Sequence, residues 1–391
     1  MADIYDIVKA AVEMKASDIL LVPGEPPTVR ISGELRRFTK EHTLDSAQCQ
    51  EVVYSMLDRK QISEFEDKLE LDCSYTFPEV GRFRVNVLRQ ENGIAAVMRV
   101  VNEKIPTPEE LGIPPSVVRL TELPRGLVLV TGPTGSGKST TLASLVEQIN
   151  GSKSKHIITI EDPIEYCYRN KKSIIDQREV GMHTRSFTSA LKHSLRQNPD
   201  IILVGEMRDR ETIALALAAA ETGHLCFSTL HTQDAASTVD RMIDEFPLDA
   251  QVKLRAQLST LLTAVVSQVM LPRKGGGMIC AREVMILNSA VATHIREGKI
   301  HQLPGVIESG GQFGMISMDQ CLALMVGRGE IEIPVAMAKA RDPQSLKALL
   351  SMRPMSAPAS GPAPATPVAA PVPAPAPTPA YKPPPSPSKP A

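Results

Sequence analysis

Gly132, Gly137, Lys138 and Ser139 fall at the spacing G-x-x-x-x-G-K-[ST]. That spacing has a chemical purpose. Glycines let successive backbone N–H groups curl around a polyphosphate, the lysine reaches its β/γ oxygens, and the serine hydroxyl ligates Mg²⁺. The whole run, Gly132, Pro133, Thr134, Gly135, Ser136, Gly137, Lys138, Ser139 and Thr140, therefore reads as a nucleotide cradle, with the N-terminus of the following helix aimed at the anion. Phosphoryl chemistry needs three further groups: one to orient water, one to hold the metal and cations to offset charge. Glu161, in Glu161-Asp-Pro-Ile-Glu165, is the candidate for the water. Glu206 ends the apolar run Ile201-Ile-Leu-Val-Gly-Glu206 and is the candidate for a water-mediated Mg²⁺ contact, because Gly205 stands where an acid usually follows such a run. Arg82, Arg84, Arg99 and Arg208 are the candidate cations. His224 and His231 frame His224-Leu-Cys-Phe-Ser-Thr-Leu-His231; with no Cys or carboxylate at ligand spacing they make a weak metal site, and a hydrogen bond to a γ-phosphate suits them better.

Elements must bring these groups together. Four apolar residues precede the loop, and Leu142, Leu145, Val146 and Ile149 follow at helical spacing. From about residue 116 strands and helices alternate, which predicts a mostly parallel sheet covered on both faces. Its strands are expected at 126–130, 156–160, 201–205, 225–230 and 278–287, with helices at 188–197, 210–222, 235–244 and 250–270. Ligands of such sheets bind outside the carboxyl ends of the strands, where the loop, Glu161 and Glu206 all fall. After Asn288 only helical patterns remain, to about residue 350. Residues 1–102 read as a smaller α+β domain, with a helix over 44–57 and strand runs at 70–77, 82–90 and 94–101. In the second run Phe83, Val85 and Val87 take one face and Arg82, Arg84 and Asn86 the other. Residues 103–115, rich in proline, are the expected linker, and 351–391 a Pro/Ala-rich tail expected to be disordered.

Bulk composition narrows the function classes. The 391 residues carry 43 basic and 44 acidic side chains, a net charge of −1, and no Trp, so neither a basic field nor stacking platforms favour direct nucleic-acid binding. The six cysteines form no C-x₂-C pair, which argues against a zinc site or a disulfide framework. Met1-Ala-Asp-Ile-Tyr-Asp carries acids where a secretion signal needs lysines, and no run of about 18 apolar residues occurs. A cytoplasmic protein is expected, reaching the membrane only through a partner.

Taken together, Gly132-Pro-Thr-Gly-Ser-Gly-Lys-Ser-Thr140, Ile158-Thr-Ile-Glu-Asp-Pro-Ile-Glu165, Ile201-Ile-Leu-Val-Gly-Glu-Met-Arg-Asp209 and Glu221-Thr-Gly-His-Leu-Cys-Phe-Ser-Thr-Leu-His-Thr232 resemble the twitching-motility retraction ATPases of type IV pili, the PilT family within the secretion ATPases. The resemblance runs from about Ala2 to Leu350. It implies a PAS-like N-terminal domain, a RecA-like P-loop ATPase domain with C-terminal helices, and ATP with Mg²⁺ bound between the two domains. It further implies that N-terminal arginines complete the site, with Arg82 and Arg84 in Gly81-Arg-Phe-Arg84 matching that motif. The implied assembly is a homohexameric ring under an inner-membrane platform protein of the pilus machinery, turning it so that pilin leaves the fibre.

Two positions depart from the family pattern. Asn198-Pro-Asp200 replaces an Asp-Pro-Asp, and Ala290-Val-Ala-Thr-His-Ile-Arg296 keeps only the closing Ile-Arg of a helical motif tied to retraction. Pilus-extension and type II secretion ATPases share the fold but typically add a further N-terminal domain and a four-cysteine insertion. A conjugation-type nucleic-acid motor is the alternative of a different class.

Overall fold

Alternation decides the first sheet. In the computed structural model, which describes residues 4–31, 33–38, 43–101 and 104–351, six antiparallel strands take the order β3-β2-β1-β6-β5-β4. These are β1 Asp18–Leu21, β2 Thr28–Ile31, β3 Glu34–Arg37, β4 Glu70–Phe77, β5 Gly81–Gln90 and β6 Gly93–Val100. Phe83, Val85 and Val87 are fully buried, while Arg84 on the other face is exposed. Helix α1 (Ile4–Glu13) buries the stripe Ile7, Val8 and Ala11, and α2 (Ser46–Ser55) buries Cys49, Val52 and Val53. Helix α3 (Arg59–Lys68) has no apolar stripe to announce it, since only Phe65 is buried. Its start is fixed by a capping box, in which the Asp58 carboxylate accepts from the N–H groups of Lys60 and Gln61 while the Gln61 side chain returns to the Asp58 N–H.

The second sheet has seven strands in the order β13-β12-β7-β11-β10-β8-β9. They are β7 Gly126–Thr131, β8 His156–Glu161, β9 Ile174–Glu179, β10 Ile201–Val204, β11 Leu225–Leu230, β12 Leu262–Pro272 and β13 Met278–Ile286. All neighbours are parallel except β12 with β13. The helices are α4 Pro115–Val118, α5 Lys138–Ser152, α6 Phe187–Ser194, α7 Arg210–Glu221, α8 Ala235–Asp244 and α9 Leu248–Leu261, then α10 Ser289–Glu297, α11 Leu303–Ser309, α12 Met318–Gly327, α13 Ile333–Met337 and α14 Pro343–Ser351. Alternate strand residues face different cores. Leu127, Leu129, Ile158, Ile160, Ile202 and Val204 pack with α6 to α11, whereas Val128, Val130, Ile157, Leu203 and Phe227 pack with α4 and α5. Each such side chain, taken fully out of water, contributes about 1.5–3 kcal/mol. The mixed α/β class with a P-loop sheet, a smaller α+β part ahead of it and helices behind it is as expected from the sequence.

Two elements correct the sequence reading. Residues 250–270 are not one helix: α9 ends at Leu261 and the chain continues as β12, which pairs with both β7 and β13. The run Leu262-Thr-Ala-Val-Val-Ser-Gln-Val-Met is apolar on both faces because both faces are covered, and periodicity cannot separate such a strand from a buried helix. The other correction is β9, an unexpected edge strand on the flank of β8. The tail from Pro354, expected to be disordered, lies outside the described residues, as do Asn102 at the end of the first domain and Glu103 at the start of the linker.

Candidate active site

Parallel pairing sets the geometry of the site. Because β7, β11, β10 and β8 run side by side in one direction, their carboxyl ends share one edge, and Gly132, His231, Glu206 and Glu161 follow those ends. The loop's backbone is glycine-dependent where it matters. Gly132 has φ 140°, and a Cβ there would stand 2.3 Å from the Gln268 carbonyl oxygen and 2.7 Å from Ser136 Oγ. Gly137 (φ 86°) takes the left-handed turn that starts α5. Pro133, Thr134, Gly135 and Ser139 are exposed around the cradle, and Ser136 Oγ is buried without a hydrogen-bond partner. An orphaned hydroxyl and a set of open N–H groups at a helix N-terminus fit an anion of several oxygens. Lys138 is buried at the rim, its Nζ donating to the carbonyls of Gly132 (2.9 Å) and Pro133 (3.2 Å). Burial holds its pKa below the usual lysine value, against the opposing pull of Glu206 and Glu165.

Glu161 is the last residue of β8. Its Oε1 accepts from Thr159 Oγ1 (2.6 Å) and Gln177 Nε2 (3.3 Å). Burial outweighs these hydrogen bonds and pushes the carboxyl up to about 7. A carboxyl near neutrality is matched to taking a proton from water at ordinary pH. The turn after it is held from β9: Gln177 Nε2 also donates to the Tyr166 carbonyl (2.8 Å), and Val180 N–H donates to the Glu161 carbonyl (2.9 Å). Tyr166 OH and Thr140 Oγ1 lie 2.9 Å apart, so the turn touches the first turn of α5. Beside Tyr166 a cavity of about 380 Å³ is lined by Lys104, Pro106, Glu110 and Leu111. Buried Arg282 pins the floor of that segment, its Nη1 donating to the carbonyls of Leu111 and Gly112, both at 3.1 Å.

Glu206 sits between Arg208 Nη2 at 2.8 Å and His231 Nε2 at 3.2 Å. Burial pushes its carboxyl up, yet the Arg208 and His231 contacts together hold it below the ordinary range, so it is a carboxylate. Both of its oxygens are already engaged by Arg208 and His231, which favours contact through water, and the exposed Ser139 hydroxyl stands at the loop as an oxygen for a divalent cation. The residues fit Mg²⁺ held in that way.

The remaining expectations fall elsewhere. His224 precedes the amino end of β11, its ring hydrogen-bonded to the Ala219 carbonyl (2.9 Å) and Thr222 Oγ1 (3.1 Å). The loop is at the opposite end of the six-residue strand, about 20 Å away at roughly 3.3 Å per residue. His224 therefore cannot touch a nucleotide in the loop of its own chain. Asp200 is at that far end too, bonded to Lys155 Nζ (2.7 Å) and the His156 N–H (2.9 Å). Arg99 pairs with Asp18 at 2.9 Å within the first sheet. Arg82 is not a free cation, since its Nη2 is 2.9 Å from Glu179 Oε2 and 2.7 Å from Ser74 Oγ. Arg84, two residues along on the same face of β5, is exposed. Gln177, Tyr166 and Glu179 are site-building residues that no motif marks; the alternation Ile175, Gln177, Glu179 on one face of β9 was the available signal. In the altered helical motif, α10 buries Ile295 and exposes Arg296.

A largely parallel sheet with a glycine-rich lysine loop at its carboxyl edge, facing two acids, defines a P-loop ATPase. Residues 1–299 match the family model described as "Type II/IV secretion system protein". The chain is 46% identical over 343 residues, 88% of its length and 99% of the relative's, to the "Type IV pilus retractation ATPase PilT" of Pseudomonas aeruginosa. It is also 46% identical over 321 residues, 82% of this chain and 86% of the relative, to a "Twitching motility protein" of Neisseria gonorrhoeae. A solved structure described as the pilus retraction motor PilT with bound ADP superposes with a TM-score of 0.84 at 44% identity, covering 89% of this chain and all of the other. This chain belongs to the type II/IV secretion system protein family, in its PilT branch. Among the described residues no helix is long and apolar enough to cross a membrane.

Proposed function

We propose that this protein is the ATP-driven retraction motor of a type IV pilus, acting as a homohexamer beneath the inner-membrane platform protein of the pilus machinery. The 46% identity to the Pseudomonas retraction ATPase across nearly all of both chains supports the reading, together with an intact loop and acid pair on one sheet edge. Residues 1–102 serve as the N-terminal domain, 103–115 as the linker and 116–350 as the ATPase domain. The triphosphate lies along Gly132–Thr140, with its nucleoside toward the Tyr166 cavity. Mg²⁺, when bound, offsets charge on the β and γ oxygens, with Ser139 as its protein ligand and Glu206 acting through water. Glu161 orients the water and takes its proton as the oxygen–phosphorus bond forms and the bond to the ADP oxygen breaks. Lys138, Arg84 and His231 are our candidates to offset charge on the phosphate oxygens, with Arg82 contributing through its ion pair.

The experiment is deletion of the gene in the living cell. Persistent, over-abundant surface pili without twitching support retraction. Bald cells would mean that the motor extends fibres instead. Purified Glu161→Gln protein should bind nucleotide and fail to hydrolyse it; near-normal turnover would remove Glu161 from its role.

A further inference from the structure

Glu179 is a carboxylate with little access to water, 3% exposed, at the end of edge strand β9. A buried acid must be compensated, and this one is compensated from two directions. From the second sheet, the Ile164 N–H donates to Oε2 at 2.9 Å. Ile164 belongs to the turn after Glu161, and Glu161 is the register partner of Glu179 across β8 and β9. From the first sheet, Arg82 Nη2 donates to the same Oε2 at 2.9 Å and Ser74 Oγ donates to Oε1 at 3.0 Å. Ser74 and Arg82 stand on adjacent strands β4 and β5, and Arg82 also donates to Ser74 Oγ at 2.7 Å. One side-chain carboxylate thus holds the backbone of the acidic turn and the edge of the N-terminal sheet at once. Arg82 keeps a buried Nε without a partner, so the guanidinium is not fully satisfied by this contact.

We infer that Glu179 is the positioning residue through which the N-terminal sheet controls the placement of the Glu161 turn, with Arg82 as its charge partner. Moving the first sheet must either carry the carboxylate along or uncover it. Either event acts on Ile164 and hence on the turn that presents Glu161. Arg82 then works on catalysis through Glu179, whereas a cation acting directly on phosphate works independently of it. The inference rests on Glu161 being the base.

A double-mutant cycle in the full-length assembled protein separates these. Glu179→Gln and Arg82→Gln should each lower kcat about ten-fold or more, leave KM and the affinity for a fluorescent ADP within about two-fold, and combine without multiplying. Multiplying losses would show that Arg82 acts on its own, and a loss carried by KM, or an unchanged kcat in Glu179→Gln, would also overturn the inference. Should either variant misfold, Ser74→Ala and Arg82→Lys keep the test alive: each thins the contact without uncovering the acid, and a kcat loss confined to kcat is again expected, an unaltered kcat in both being refutation. Normal turnover in Glu161→Gln would instead sink the base assignment, a result the cycle cannot mimic.

Discussion

Replacing Glu161 by Gln should make the protein more stable above neutral pH while abolishing hydrolysis. The carboxyl's ordinary value is 4.5, and burial raises it to about 7. Between those values the folded chain keeps a proton that the unfolded chain has released, so stability falls as pH rises through this window and the loss is complete above about pH 7. At 1.36 kcal/mol per pH unit, the interval is worth at most about 3 kcal/mol. The amide of Gln has nearly the same shape, can still accept from Thr159 and Gln177, and carries no charge to desolvate. In urea titrations of the nucleotide-free protein, the Gln variant should therefore gain about 2–3 kcal/mol over the parent at pH 8, less near pH 6 and nothing by about pH 4. The same carboxyl must be ionised to accept a proton, so parental kcat should rise with pH through about 7, and the variant should lose on the order of 10²–10⁴ in rate. A Gln variant no more stable than the parent at pH 8 would refute the half-buried, high-pKa carboxyl, whatever its activity.

Lys138→Ala should reduce kcat by about 10²–10³, the scale of losing one preorganised cationic donor, and weaken nucleotide binding in a fluorescence titration. Arg84→Ala in assembled rings should cost on the order of 10³–10⁵ in turnover if its exposed guanidinium reaches transferred charge, and normal turnover would exclude it. Gly132→Ala should destabilise the fold by about 2 kcal/mol or more in thermal melts, because φ 140° and the Gln268 carbonyl at 2.3 Å leave no place for a methyl group. Tyr166→Ala should lower ADP affinity about ten-fold by calorimetry and tripolyphosphate affinity much less, since only ADP has a base to place beside the ring while both lose the Tyr166 contact to Thr140.

What was legible in the sequence is what glycine, charge and period report. The loop names its own chemistry because no other use of Gly132, Gly137, Lys138 and Ser139 needs that spacing. Strands β7, β8, β10 and β11 announce themselves as short apolar runs closed by polar residues, and their shared direction then puts Glu161, Glu206 and His231 on one edge. The same parallel rule, applied to chain direction, places His224 at the wrong end; the motif's two histidines look equivalent in sequence only because sequence has no ends of a strand in it. Strand β12 was hidden by being covered on both faces. Strand β9 was hidden for the opposite reason, since Asp176, Gln177, Arg178 and Glu179 look like a solvated stretch. Their polarity has another cause. A strand that must hold a polar turn cannot do so with methyl groups, and Gln177 and Glu179 use their polar atoms on Glu161, Tyr166, Ile164 and Arg82. The polar stretch that sequence patterning discards as a loop therefore holds the turn after Glu161, and through Glu179 it also meets Ser74 and Arg82 of the N-terminal sheet. If Glu161 is the base, both contacts belonging to a single strand put the acidic turn and the N-terminal sheet one side chain apart, which the Glu179/Arg82 cycle tests.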